Sequence, residues 1–189
     1  IQHTTFDRSY SSAEISDLLP ALFTEMESPA GRYQVDAYYL TFETTDLDGS
    51  PTPAKAQLFV PRLGANREVP LYLFAPGSTG LVDACRPSRE HLIGVDWGRY
   101  RLHALAHATR GSIVVIPDYM NFEVTGEIQP YFISTAEAHV LLDAARSARS
   151  FLGQDEYRAS PSSGVFLAGY SQGGHAVFDE ISQQAERLA

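Results

Sequence analysis

Gly169-Tyr170-Ser171-Gln172-Gly173 directly follows the apolar run Val165-Phe166-Leu167-Ala168 and precedes a helical-looking segment, Ala176 to Leu188. A buried-type strand, a tight turn with serine at its apex and then a helix is the context that makes G-x-S-x-G a nucleophile elbow. The glycines have a steric task. A serine in a strained turn needs neighbours without side chains if strand and helix are to approach closely. The serine oxygen then stands above the sheet near the positive end of the following helix. This stretch sets the expected fold, because an elbow needs a parallel strand behind it.

Working outward, the chain before the elbow supplies that sheet. Leu71-Tyr72-Leu73-Phe74-Ala75 and Ser112-Ile113-Val114-Val115-Ile116-Pro117 are continuous apolar runs, as in strands buried on both faces. Between them, 81–96 reads as a long loop and Trp97 to Ala108 as a helix closed by Gly111. A second helix spans about Ser134 to Leu152, with Ile133, Val140, Leu141, Ala144, Ala148 and Phe151 on one face. Residues 153–163 read as a loop. Towards the N-terminus, Tyr33–Thr45 and Ala54–Val60 are strand-like around the turn Asp46-Leu47-Asp48-Gly49-Ser50-Pro51, giving an antiparallel hairpin. Ser11-Ser12-Ala13-Glu14 opens a helix expected to run to about Met26, with Pro20 limiting it. Residues 1–10 read as an irregular arm. The predicted fold is therefore α/β, a mostly parallel sheet with helices on both faces, opened by an antiparallel hairpin. Residues 1–189 form the N-terminal portion of a single domain: 1–30 an arm and helix, 31–189 the sheet core up to the elbow.

The 189 residues include 44% apolar and 20% charged side chains, values of an ordinary globular chain. A net charge of −9 argues against nucleic acid or an anionic membrane surface as partner. There is no apolar run of membrane-spanning length. The chain begins at Ile1 with no signal-like segment, so any export signal lies outside it. The single Cys85 is either a buried thiol or half of a bridge to a partner elsewhere.

Ser171 is the candidate nucleophile, and such a serine needs an oxyanion hole and a base held by an acid. One oxyanion donor is the main-chain N–H of the next residue, Gln172. The second comes from Pro76-Gly77-Ser78-Thr79-Gly80, at the C-terminal end of the Leu71–Ala75 strand, with Ser78 or Thr79 as donor. Base and acid are the difficulty. Only 18 residues follow Ser171, and His175, on the elbow helix itself, reads as a packing or supporting residue. Asp118 ends its strand at the same sheet edge and reads as a cap of the next loop. His103 and His107 have metal-ligand spacing but no third ligand, so no metal and no cofactor are expected.

The residues from about Val69 onward resemble the secretory lipase family of α/β-hydrolases, which includes the yeast lipase A type. Pro76-Gly77-Ser78-Thr79-Gly80-Leu81 resembles its oxyanion segment, and Asp83-Ala84-Cys85-Arg86-Pro87-Ser88 a following Cys-x-Pro-Ser element. Val115-Ile116-Pro117-Asp118-Tyr119, Gln129-Pro130-Tyr131 and Leu141-Leu142-Asp143-Ala144-Ala145-Arg146 resemble further family elements, and 169–175 resembles its elbow. Pro76 departs from the family's oxyanion histidine, and Met120-Asn121-Phe122 from its Gly-Leu-Gly. The resemblance implies an exported, extracellular or periplasmic carboxylic ester hydrolase acting on acylglycerols or simpler esters through an acyl-enzyme. Gly-Tyr-Ser-Gln-Gly is also similar to cutinases, so polyester hydrolysis, an acyltransferase or peptidase on the same elbow, and an inactive fragment or binding module stand as alternatives. The incomplete sheet leads to the expectation that a companion C-terminal segment or second chain completes it and brings the acid and base.

Overall fold

The computed structural model describes residues 3–153 and 157–178. Among these residues, six strands form one sheet in the order β1-β2-β3-β5-β4-β6. They are β1 His3–Tyr10, β2 Val35–Thr45, β3 Pro51–Pro61, β4 Arg67–Ala75, β5 Ile113–Pro117 and β6 Ala159–Gly169. The helices are α1 Ser12–Leu18, α2 Tyr100–Ala108, α3 Ser134–Leu152 and an elbow helix over 172–178. The part of the expected Ala176–Leu188 helix beyond 178 lies outside the described residues.

The sheet is mixed rather than mostly parallel. β1, β2, β3 and β5 pair antiparallel in turn, whereas β5, β4 and β6 run parallel. The parallel part is the part that carries the elbow. Alternation along its strands explains the layers. Leu71, Leu73, Ile113 and Val115 face a core closed by Val140, Leu141, Ala144 and Ala148 of α3. Phe74, Val114 and Ile116 face the opposite core, closed by Ile15, Leu19, Leu102 and Leu105 from the other helices. β4 therefore leads to α2 on one face, and β6 leads to the elbow helix, whose Ala176 packs into the other. Adjacent parallel strands whose connections leave to opposite faces open a crevice beyond their C-terminal ends. Ala75 and Gly169 are paired residues at those ends, so the crevice lies where Pro76–Gly80 and Ser171 emerge.

The hairpin follows from its turn. Gly49 takes φ 87°, which a side chain disfavours, and the Gly49 N–H donates to Asp46 O at 3.0 Å. Eleven residues pair on each side, from Thr45 with Pro51 to Val35 with Pro61.

Residues 3–10 are a strand, which corrects the expected irregular arm. Their polarity concealed it, since β1 is an edge strand and only Tyr10 is buried. It is held by its ladder to β2 and by Arg101, whose side chain is 2% exposed. The register slips between Phe6 and Arg8, a bulge that leaves Asp7 unpaired in the ladder and turned onto Arg101. The same guanidinium donates to the Tyr10 hydroxyl at 2.9 Å and to Gln57 Oε1 at 2.9 Å. α1 is also shorter than expected. Ser11 caps it by accepting from Glu14 N at 3.1 Å, but it ends at Leu18 in a single 3-10 turn around Pro20. Proline has no N–H to continue the ladder, and no helix extends to Met26. β6 begins at Ala159, inside the stretch expected as a loop. Pro161 is tolerated there because β6 is the sheet edge.

Replacing Arg101 by alanine leaves Asp7, Tyr10 and Gln57 without their shared donor. R101A is expected to lower the unfolding free energy by about 3 kcal/mol, read from the urea midpoint at unchanged slope.

Candidate active site

Ser171 stands at the apex of the turn between β6 and the elbow helix, with φ 52°. A non-glycine residue in that region is strained, and the surroundings must hold it. They do so by close packing. A Cβ on Gly173 would lie 1.9 Å from the Ala75 carbonyl oxygen, and one on Gly169 would lie 2.0 Å from the Gly173 oxygen. Both outer positions of the motif therefore exclude any side chain. The Tyr170 N–H donates to Ala75 O at 3.2 Å, and the His175 N–H to Ser171 O at 3.3 Å. The turn is thus tied to β4 behind it and to the helix ahead. As one of the first N–H groups of the helix, that of Gln172 points out of its open end beside the serine.

Across the crevice, residues 76–78 are held by three tyrosines. The Tyr119 hydroxyl donates to Pro76 O at 2.5 Å, and the Gly77 N–H donates to the Tyr100 hydroxyl at 3.0 Å. Ser78 Oγ lies 2.7 Å from the Tyr131 hydroxyl. The Gly77 amide is therefore already engaged. Thr79 Oγ1 is buried with no hydrogen-bond partner among the described residues. The structure thus brings Ser171, Gln172, Ser78 and Thr79 to one end of the sheet, on the two loops that leave the paired strand ends of β4 and β6.

Other singled-out residues play different parts. Asp118 is fully buried and accepts from Ser88 N at 2.6 Å and Ser88 Oγ at 2.5 Å, fastening the 83–89 segment to the end of β5. Burial raises its pKa to about 7, against the pull of the Ser88 hydrogen bonds. His103 and His107 stack on Tyr72 and Phe74, and His103 Nε2 lies 3.1 Å from the Tyr72 hydroxyl. Burial, with His107 alongside, lowers the His103 pKa to about 4. No group of three or more potential metal ligands occurs among the described residues. Cys85 has no disulfide partner in the structure and packs partly buried beside Gly80, where a Cβ would meet its sulfur at 2.4 Å.

Two side chains beside the site, Gln129 and Glu137, were given no role in the site by the sequence reading. Gln172 is fully buried, and its Nε2 donates to Gln129 Oε1 at 3.0 Å and to Glu137 Oε1 at 2.9 Å. Glu137, 2% exposed, also lies 2.8 Å through Oε2 from Nδ1 of half-buried His175. The signal was present. Glu137 is four residues after Ile133 and three before Val140, an acid on the apolar stripe of α3.

Sequence comparison finds no matching family and no curated relative. Solved structures do match. The rice cell wall degrading esterase LipA from Xanthomonas oryzae superposes with TM-score 0.74 at 24% identity, over 98% of this chain and 46% of its own. A Legionella pneumophila protein gives 0.76 at 21% identity, over 98% and 48%. Candida antarctica lipase A in its closed state gives 0.59 at 18% identity, over 96% and 38%. The chain spans about half the length of the first two. The fold is therefore that of the α/β-hydrolases, seen here as an open mixed sheet with flanking helices.

Two outcomes follow. G173A drives a methyl group into the Ala75 carbonyl, and is expected to cost about 2 kcal/mol or more, measured by urea unfolding. The folded-state pKa of Asp118 lies above its ordinary 3.8, so the folded chain holds this proton more tightly than the unfolded one. The stability this gives is complete below about pH 4 and is lost as pH rises through about 7. D118N, which keeps an acceptor for Ser88 N, should be free of this contribution. The difference in unfolding free energy between wild type and D118N, followed from pH 4 to 8, reads it directly.

Proposed function

We propose that this chain is the N-terminal portion of a single α/β-hydrolase domain, and that the enzyme is a carboxylic ester hydrolase with Ser171 as nucleophile. The observation that carries this is the elbow. A serine at φ 52° between two glycines that admit no side chain is a costly arrangement whose effect is to present one hydroxyl. In the mechanism, Ser171 Oγ attacks the ester carbonyl carbon, and its proton passes to a base. The bond to the alcohol oxygen breaks, that oxygen takes the proton, and water hydrolyses the acyl-enzyme to the acid. The Gln172 N–H and a donor from Ser78 or Thr79 receive the negative oxygen of each tetrahedral intermediate. The Thr79 hydroxyl, buried with no partner among the described residues, supports its part in this, as does the engagement of Gly77 by Tyr100.

The base and acid come from a C-terminal segment or companion chain that pairs with β6. Two features support this. Phe166 is 60% exposed on the edge strand, and beside it Pro70, Tyr72, His107, Ser112 and Leu167 line an apolar-walled cleft of about 330 Å³. β6 has no neighbour on its outer side among the described residues, and an edge of this kind is suited to a further strand. No helix among the described residues is long and apolar enough to cross a membrane. An extracellular or periplasmic site of action, on ester-linked cell-wall material or acylglycerols, is supported by likeness to the LipA esterase and to lipase A.

The test is covalent labelling. A fluorophosphonate probe is expected to add once, at Ser171, by peptide mass spectrometry. S171A should lower p-nitrophenyl butyrate hydrolysis by more than about 10⁴-fold. Failure of the wild-type protein to take up the probe would sink the reading.

A further inference from the structure

Behind the crevice lies a buried polar network that the ester-hydrolase chemistry as written leaves unused. Its centre is the Glu137 carboxylate, on the first turn of α3 and among the apolar residues Ala136, Ala138, Val140 and Leu141. A carboxylate in such surroundings is expensive unless every lone pair is used. Here Oε1 accepts from Gln172 Nε2 at 2.9 Å and from the Phe132 N–H at 3.3 Å. Oε2 faces His175 Nδ1 at 2.8 Å, and the Phe132 ring packs over that imidazole at 4.6 Å. Gln172 passes the network on to Gln129 Oε1, and Gln129 Nε2 donates to the carbonyl of Gly80. The Gln129 main-chain N–H donates to Leu81 O at 3.0 Å. One buried acid thereby ties the elbow to the 129–132 loop, and Gln129 of that loop carries the link on to Gly80 and Leu81.

The consequence concerns alignment. The two halves of the oxyanion hole are on different loops that leave different strands, and backbone hydrogen bonds tie these loops at their roots, Ala75 to Tyr170. The side chain of Gln172 fastens to Glu137 and Gln129, so the peptide carrying its N–H cannot rotate independently of α3. Gln129 fastens the opposing loop at Gly80, the residue after Thr79. The carboxylate against Nδ1 also favours the tautomer with the proton on that nitrogen. We infer that Glu137 is a positioning residue: it sets the Gln172 donor and the 76–81 loop in register, and it orients His175. This rests on the reading of Ser171 as nucleophile.

The test compares Glu137→Gln, Glu137→Leu and Gln129→Leu in the intact protein, with fluorophosphonate labelling rates and p-nitrophenyl butyrate kinetics. The glutamine variant still accepts from Gln172 and Phe132 through Oε1, and its amide can donate to His175 Nδ1. It should keep kcat within about threefold of wild type, while ¹⁵N NMR shows the His175 proton moved from Nδ1 to Nε2. Gln129→Leu cuts the link from Gln172 to the 76–81 loop, and Glu137→Leu releases both Gln172 and the Phe132 N–H of the 129–132 loop from α3. In each, kcat and the labelling rate should fall about tenfold to a hundredfold with KM within about twofold, the effect of misplacing a donor by a fraction of an ångström to 1 Å. Near-UV circular dichroism establishes folding. If Glu137→Leu does not fold, Gln129→Leu, which buries no fewer apolar atoms and strands no charge, decides the matter. Wild-type kcat in either folded leucine variant overturns the inference, as does an unmoved His175 proton in Glu137→Gln. Wild-type protein that is not labelled at Ser171 overturns the nucleophile reading itself, and this inference with it. Labelled wild type with indifferent variants overturns the inference alone.

Discussion

The contact on which the rest depends is the approach of Gly173 to the carbonyl oxygen of Ala75. With 1.9 Å left for a Cβ, the elbow helix sits directly on the end of β4, and the turn before it has no room to relax. Ser171 is pushed to φ 52° because the two segments it joins are each fixed by burial. The strain is local and the energy that sustains it is distributed. Leu71, Leu73 and Ala75 are completely buried between their neighbours, so the strand cannot yield, and the serine takes the deformation.

The fold is reinforced from two sides by charges taken out of water. On the face of α3, Glu137 holds the elbow through Gln172, whose amide also reaches Gln129 on the 129–132 loop. On the face of α2, Arg101 gathers Asp7, Tyr10 and Gln57, closing the first strand onto the sheet. Each is a buried ionic group with several partners, the condition under which such a group is tolerated. Their value is in orientation rather than net stability. An apolar core would bury as much surface, but would not fix which atoms meet. Asp118 does the same work for a loop. It binds both the amide and the hydroxyl of Ser88 and so holds the 83–89 segment at the end of β5.

How much could be read without the fold varies from element to element. α3 matches its expected bounds, Ser134 to Leu152, because nineteen residues of helical periodicity leave little freedom. β4 and β5 were visible because strands buried on both faces are continuously apolar. β1 was not, since an edge strand with solvent on one side has no such run. Its pairing partners and the Arg101 that receives Asp7 are 25 to 94 residues distant. The mixed character of the sheet was hidden for the same reason: alternation shows which face is buried, not which neighbour a strand chooses. Around Ser171, the glycines and the serine were plain in the chain. Glu137 and Gln129 were given no role there, although an acid on an apolar stripe is a visible anomaly.

The sequence by itself determined the local chemistry: a serine between glycines after a buried-type strand, a glycine-bearing loop after another, and helices of the right length to cover them. Those properties come from steric and periodic rules that act over a few residues. The tertiary structure alone decided the strand order, the bulge that turns Asp7 inward, and the meeting of Gln129, Glu137, Gln172 and His175 from three separate segments. Long-range pairing and desolvation select these arrangements, and they depend on the whole packed chain, so no short stretch carries them.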